Sequence, residues 1–167
     1  MDNLPLFARA FQYPFPGQID ALYTETQAML NAPGGQALAK FAEKLKALSL
    51  SEQEELYTRT LDLSPLSAPY VGYHIWGESY KRGEFMAALN KEMKVYEIDL
   101  EGELPDHLLP ILRYLNATPS PIPELINILD QSLSSMIKSL KKSEDDNPYL
   151  YLFEALAHAF TELKVGA

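Results

Sequence analysis

Proline and glycine divide this chain more firmly than any other feature. Its twelve prolines and eight glycines gather in clusters: Pro14-Phe15-Pro16-Gly17, Pro33-Gly34-Gly35, Pro65 to Pro69, and Pro119-Ser120-Pro121-Ile122-Pro123. Proline lacks an N–H and crowds the preceding turn, and glycine costs about 1 kcal/mol against alanine inside a helix. Such clusters end helices and central strands alike. Between them, apolar residues recur mostly every three or four positions. The chain is thereby confined to many short helices that must bury one another.

The breakers predict the segments. Asp2 or Asn3 caps a first helix, with Pro5 in its first turn, ending near Tyr13 ahead of Pro14. Ile19 to Asn31 and Gln36 to Leu48 follow, the latter with Leu38, Phe41, Leu45 and Leu48 on one stripe. Ser51-Glu52-Gln53-Glu54 has the spacing of a capping box and predicts a fourth helix to about Leu61. Tyr70 to Gly77 reads as a short helix and Glu78 to Val95 as a longer one. Residues 97–101, EIDLE, alternate apolar and acidic but are too short and acidic for a strand, and read as an extended loop. Pro105 to Asn116 reads as a helix with Pro110 inside it, so a kink or a tightened first turn is expected. Glu124 to Lys142 is a long helix, and Asn147-Pro148 opens a last one that reaches about Val165. The expectation is one all-α domain over residues 1–167, a bundle of about eight or nine helices.

The totals exclude several chemistries. Of 167 residues, 47% are apolar and 22% charged, a globular composition, and the absence of cysteine removes disulfides and thiolate nucleophiles. Net charge is −9, from 14 basic and 23 acidic residues. Nucleic acid and anionic membrane are repelled by such a surface, and a basic peptide is attracted. No window approaches the roughly 18 apolar residues of a membrane span, and the N-terminus lacks the pattern of a signal peptide. The expected location is cytoplasmic, with no stable membrane insertion. His74, His107 and His158 show no metal-ligand spacing, and there is no phosphate-binding glycine motif.

Two stretches are dense in chemistry-bearing side chains. Glu103-Leu104-Pro105-Asp106-His107-Leu108 places an acid and an imidazole at the mouth of an apolar run. Neighbours on a helix point roughly 100° apart, so Asp106 and His107 are poorly placed to pair as a catalytic dyad. Pro105 suits a first helical position, where Asp106 complements the positive helix end. The second stretch runs from Pro69 to Gly83 and holds Tyr70, Tyr73, His74, Trp76, Glu78, Tyr80 and Arg82. Aromatic rings with polar tips suit a recognition surface and also an ordinary half-buried core.

Together these stretches carry a resemblance. Tyr57-Thr58-Arg59-Thr60-Leu61-Asp62-Leu63-Ser64-Pro65, then Tyr70-Val71-Gly72-Tyr73-His74-Ile75-Trp76-Gly77-Glu78-Ser79-Tyr80-Lys81-Arg82-Gly83, then Glu103-Leu104-Pro105-Asp106-His107-Leu108 resemble the delta-subunit (NarJ) chaperones of respiratory nitrate reductase. Tyr13-Pro14 resembles the pair that closes the first helix of that family. The resemblance covers roughly Tyr57 to Tyr114, and the last helices match only in type. The wider superfamily includes the TorD and DmsD chaperones. It implies an all-helical, non-enzymatic protein that holds the N-terminal segment of an apo molybdoenzyme catalytic subunit until the molybdenum cofactor, which belongs to the client, is inserted. The pair Asp106-His107 is implied in that binding. Tyr70, Tyr73, His74, Trp76 and Glu78 are expected to form one wall of a trough, with Glu103, Asp106, His107 and Tyr114 opposite, and Arg82 is expected to make a structural salt bridge. The chain departs from many relatives in ending soon after Val165, without an extended tail. Either monomer or dimer is compatible with the resemblance. The alternatives are a small helical enzyme using His107 with Glu103 or Asp106 as acid and base, and a structural subunit of a reductase complex.

Overall fold

The computed structural model describes the backbone of residues 3–166 and the side chains through residue 163. Among the described residues there are nine α-helices and no β-strand: α1 Leu4–Ala10, α2 Gln18–Thr26, α3 Gly35–Lys46, α4 Leu50–Tyr57, α5 Val71–Trp76, α6 Tyr80–Val95, α7 Leu108–Ala117, α8 Leu125–Ser143 and α9 Tyr149–Gly166. The all-α bundle expected from the breaker clusters is the fold observed.

The last helix is the hub. Tyr149, Leu150, Leu152, Phe153, Ala155, Leu156, Ala159 and Phe160 of α9 are all buried, so apolar surface wraps most of its circumference. It packs against α3 and α8 and touches α1. α1 in turn lies along α7, α2 along α3, and α5 against α8 and α6. Phe11 stacks on Phe153 at 6.4 Å between centroids, and Phe41 meets Tyr149 at 5.1 Å. Each fully buried ring of this kind contributes roughly 1.5–3 kcal/mol relative to exposure.

Local chemistry explains where the helices begin. Asn3 occupies the cap position of α1 without a side-chain cap bond, and Pro5 lies in the first turn as expected, while Asp2 lies outside the described residues. The capping box sits two residues earlier than expected. Ser49, not Ser51, accepts the Glu52 N–H, and Glu52 accepts the Ser49 N–H. Ser-x-x-Glu occurs twice here, and the earlier register leaves Gln53 free to donate to the Leu45 and Leu48 carbonyls at 3.0 and 3.2 Å. That bond set ties α4 to the end of α3. α4 then opens into a π-helical turn over Thr58–Asp62.

α7 corrects the expected start at Pro105. It begins at Leu108, with His107 as its cap. Pro110 therefore falls in the first turn, where the missing N–H has no intrahelical partner to lose, and no kink is required. Asn147 caps α9 as expected, its Oδ1 accepting the Tyr149 N–H at 2.9 Å.

Gly34, the cap of α3, lies tightly against the backbone of α9. Its φ is +78°, and a Cβ at this position would lie 2.3 Å from the Ala155 carbonyl oxygen. Gly17 has a similar φ of +82° but open space around it. Gly34→Ala is expected to cost more than about 2 kcal/mol and Gly17→Ala about 1 kcal/mol, the difference being the backbone clash with α9. Urea unfolding of the two variants checks this; equal losses would mean that the α3–α9 contact relaxes freely.

Candidate functional site

Two extended segments meet between the helices. The Val71 N–H donates to the Asp106 carbonyl and the Leu108 N–H to the Pro69 carbonyl, both at 2.9 Å. They form an isolated antiparallel bridge between Tyr70 and His107. α5 and α7 both leave directly from this bridge. Ser132 of α8 holds the other side of α5, its hydroxyl donating to the Val71 carbonyl at 2.8 Å.

His107 is 2% exposed. Its Nδ1 accepts the Leu109 N–H at 3.0 Å, so the neutral ring carries its proton on Nε2. Nε2 lies 3.9 Å from Glu103 Oε2, beyond hydrogen-bond length. That Glu103 oxygen takes the Tyr70 hydroxyl instead. Burial pushes the imidazole down to about 4, outweighing the opposing influence of the Asp106 charge. In this arrangement the ring serves as a neutral helix cap beneath the surface.

Asp106 is entirely buried. Arg82 answers it with both arms of its fork, Nε to Oδ2 at 2.8 Å and Nη2 to Oδ1 at 3.1 Å. The expected structural salt bridge of Arg82 is thus present, and Asp106 is its partner. Gly72 makes the approach possible, since a Cβ there would stand 2.8 Å from Asp106 Oδ2. The Arg82 guanidinium carbon also lies 5.7 Å from the Tyr70 ring centroid and 5.8 Å from that of Tyr73.

Above this pair opens a depression of about 380 Å³, lined in part by Asp62, Pro65, Tyr70, Tyr73, Arg82 and Leu104. Asp62 closes the π-helical turn after α4. Desolvation by the surrounding protein raises its pKa, and the charge of Glu103 adds to the rise. The same two carboxylates help burial to push the Tyr57 hydroxyl up. Among the described residues neither Asp62 nor Glu103 is paired with a lysine or arginine. Leu63, Leu66 and Leu104, on or next to this rim in sequence, are exposed.

The expected trough is redrawn by this geometry. Tyr70, Tyr73, Glu103, Asp106 and His107 do converge, but Asp106 and His107 lie beneath the depression, not on a wall. His74 turns inward, Nε2 2.7 Å from the Ala68 carbonyl, and burial lowers its pKa. Glu78 is exposed in the turn before α6, close enough for its charge to act on Arg82. Trp76 lies elsewhere: it packs on Phe85 at 5.2 Å and lines a separate depression of about 600 Å³ with Ile122 and Ile128. Tyr114 belongs to the core, fully buried, its hydroxyl oxygen accepting the Ile122 N–H at 3.2 Å. Sequence reasoning omitted Asp62, Pro65 and Leu104 from the site. The available signal was an acid between Leu61 and Leu63 just before a proline-rich connection.

The chain matches no known family model and no curated protein. Among the described residues no histidine and carboxylate group could hold a metal ion, and no helix is long and apolar enough to cross a membrane.

The buried imidazole makes acid stability a readout of the site. The unfolded chain protonates this ring near 6.5 and the folded one only near 4. Stability conferred by His107 is therefore complete above pH 6.5 and drains away as pH falls towards 4, by about 3 kcal/mol. His107→Asn keeps a favoured capping acceptor and removes the titration. It is expected to lose about 1–2 kcal/mol at pH 7 through packing, and to show a flatter decline between pH 6.5 and 4. Chemical unfolding across that range measures both slopes; parallel profiles would remove His107 as the cause.

Proposed function

We propose that this protein is a redox-enzyme maturation chaperone: it binds the basic N-terminal segment of an apo molybdoenzyme catalytic subunit and supports cofactor insertion and assembly. The client indicated by the motif resemblance is the nitrate reductase alpha subunit, and the molybdenum cofactor is the client's. The observation that carries the reading is the pair Asp62 and Glu103, two carboxylates that no lysine or arginine among the described residues pairs with, beside Tyr70, Tyr73 and the exposed Leu104.

Partial desolvation and the nearby charge of Glu103 raise the pKa of Asp62, and an incoming cation relieves that repulsion. The exposed Leu104 and the rings of Tyr70 and Tyr73 around the same depression gain by covering apolar side chains of the guest. A basic amphipathic segment supplies both, with charge steering its approach and apolar contact holding it. The sequence motifs that resemble the nitrate reductase chaperones fall on these same elements: the π-helical turn, α5 with the start of α6, and the 103–108 connection. The buried cap at His107 and the paired Asp106 fit a scaffold for recognition better than an acid–base centre.

Titration calorimetry with a peptide of the candidate client's N-terminus tests the reading. The expected result is binding at about micromolar concentration, weakened by added salt. Asp62→Asn is expected to weaken it about fivefold, roughly 1 kcal/mol, with the fold intact. A folded protein that takes up no peptide at these concentrations sinks the chaperone reading.

A further inference from the structure

The cation in the acidic depression belongs to the protein itself. Arg82 stands in the first turn of α6 and reaches down to Asp106, with 16% of its side chain exposed above a carboxylate that has no exposure. Its fork is bidentate, and the rings of Tyr70 and Tyr73 lie on its flanks. A carboxylate at the bottom with aromatic rings beside it is the chemistry that receives a guanidinium: two parallel N–H···O bonds and cation–π attraction. Gly72 keeps the space beside the carboxylate free of a side chain. The mouth of this cage opens into the depression proposed above to receive a basic segment.

We propose that Asp106, Tyr70 and Tyr73 form a guanidinium-binding cage that Arg82 occupies as an internal stand-in, and that an arginine of the bound segment takes its place. This rests on reading the depression as the site of a basic segment. Three observations make the exchange workable. Charge is conserved at the buried carboxylate, because one guanidinium leaves as another enters and Asp106 is not left unpaired, which would be costly. Arg82 can leave by side-chain rotation alone, since its N–H bonds the Ser79 carbonyl at 3.1 Å and holds the helix start independently. A destination is at hand, because Glu78 in the preceding turn already acts on the Arg82 charge. The arrangement also selects. A lysine ammonium cannot make the fork and stacks poorly, so it does not displace the incumbent. The incumbent lowers affinity for every guest by the fraction of time the cage is filled.

The test uses the whole protein and two peptides, one basic amphipathic sequence carrying arginines and the same sequence with lysines in their place. In the wild type, the Arg82 side-chain Nε–H is followed by NMR. Saturation with the arginine peptide is expected to speed its exchange with water, and the lysine peptide is expected to leave it protected. In Arg82→Gln the cage is vacant, and the arginine peptide is expected to bind about tenfold tighter while the lysine peptide gains nothing. Methylguanidinium is expected to raise the melting temperature of Arg82→Gln and not of the wild type. An Arg82 Nε–H that stays protected at saturation, or an Arg82→Gln protein that binds both peptides equally and ignores methylguanidinium, overturns the proposal and leaves Arg82 as a structural ion pair. If the wild type binds neither peptide the chaperone reading fails, and the methylguanidinium arm still decides the cage. If Arg82→Gln does not fold, the wild-type NMR arm decides alone.

Discussion

Asp106 has none of its surface in water, and the middle of the molecule is arranged to make that tolerable. A buried carboxylate without a partner carries a penalty of several kcal/mol. The fork of Arg82 removes it, and in doing so fixes where α6 must start relative to the 103–108 connection. The backbone of Asp106 is spoken for as well, its carbonyl receiving the N–H of Val71. One residue thereby joins α5, α6 and α7 at their N-terminal ends. Gly72 has no side chain because Asp106 is already there.

The depression follows from this junction. With α5 and α7 both launched from the Tyr70–His107 bridge, the connection from residue 63 to 69 has to cross their mouths. It is anchored by the Ser67 hydroxyl on the Thr60 carbonyl and, further back, by Asn147 on the Thr60 hydroxyl. Pro65 and Leu104 are left at the rim, with Asp62 between them and the end of α4. The ion pair supplies the floor, the bridge supplies one side, and the loop supplies the other. None of these parts is contiguous in the chain.

That separation explains what could be read beforehand. Helix number and approximate spans were legible because prolines and glycines act on their own neighbours. The start of α7 was not, because Asp106 and Leu108 are held by Val71 and Pro69, dozens of residues away. Ser49 displaced Ser51 as a cap because Gln53 had the carbonyls of Leu45 in α3 and of Leu48 just after it to satisfy. Tyr114 was drawn into the site by its nearness in sequence to His107, yet its spacing from the buried Pro110 and Ile111, four and three residues before it, is that of a core-facing helical position. Tyr73 and Trp76 stand three residues apart, a rotation that leaves them roughly 60° apart around a helix, and with α5 only six residues long they line separate depressions. The convergence of Tyr70, Tyr73 and Glu103 with Asp106 was visible in the motifs; the burial of Asp106 was not.

The π-helical turn at Thr58–Asp62 has a consequence for insertions and deletions. Such a turn holds one residue more than the α-helical path over the same rise, which makes it a natural place for the chain to gain or lose a single residue. Deleting one residue there would close the turn to α-helical geometry and leave the chain on either side in phase. The core contacts of α4 would survive such a change. The side chains within the turn are the ones re-aimed, and Asp62 is its last residue, so the length of this short turn, as much as its composition, sets the outer charge of the depression.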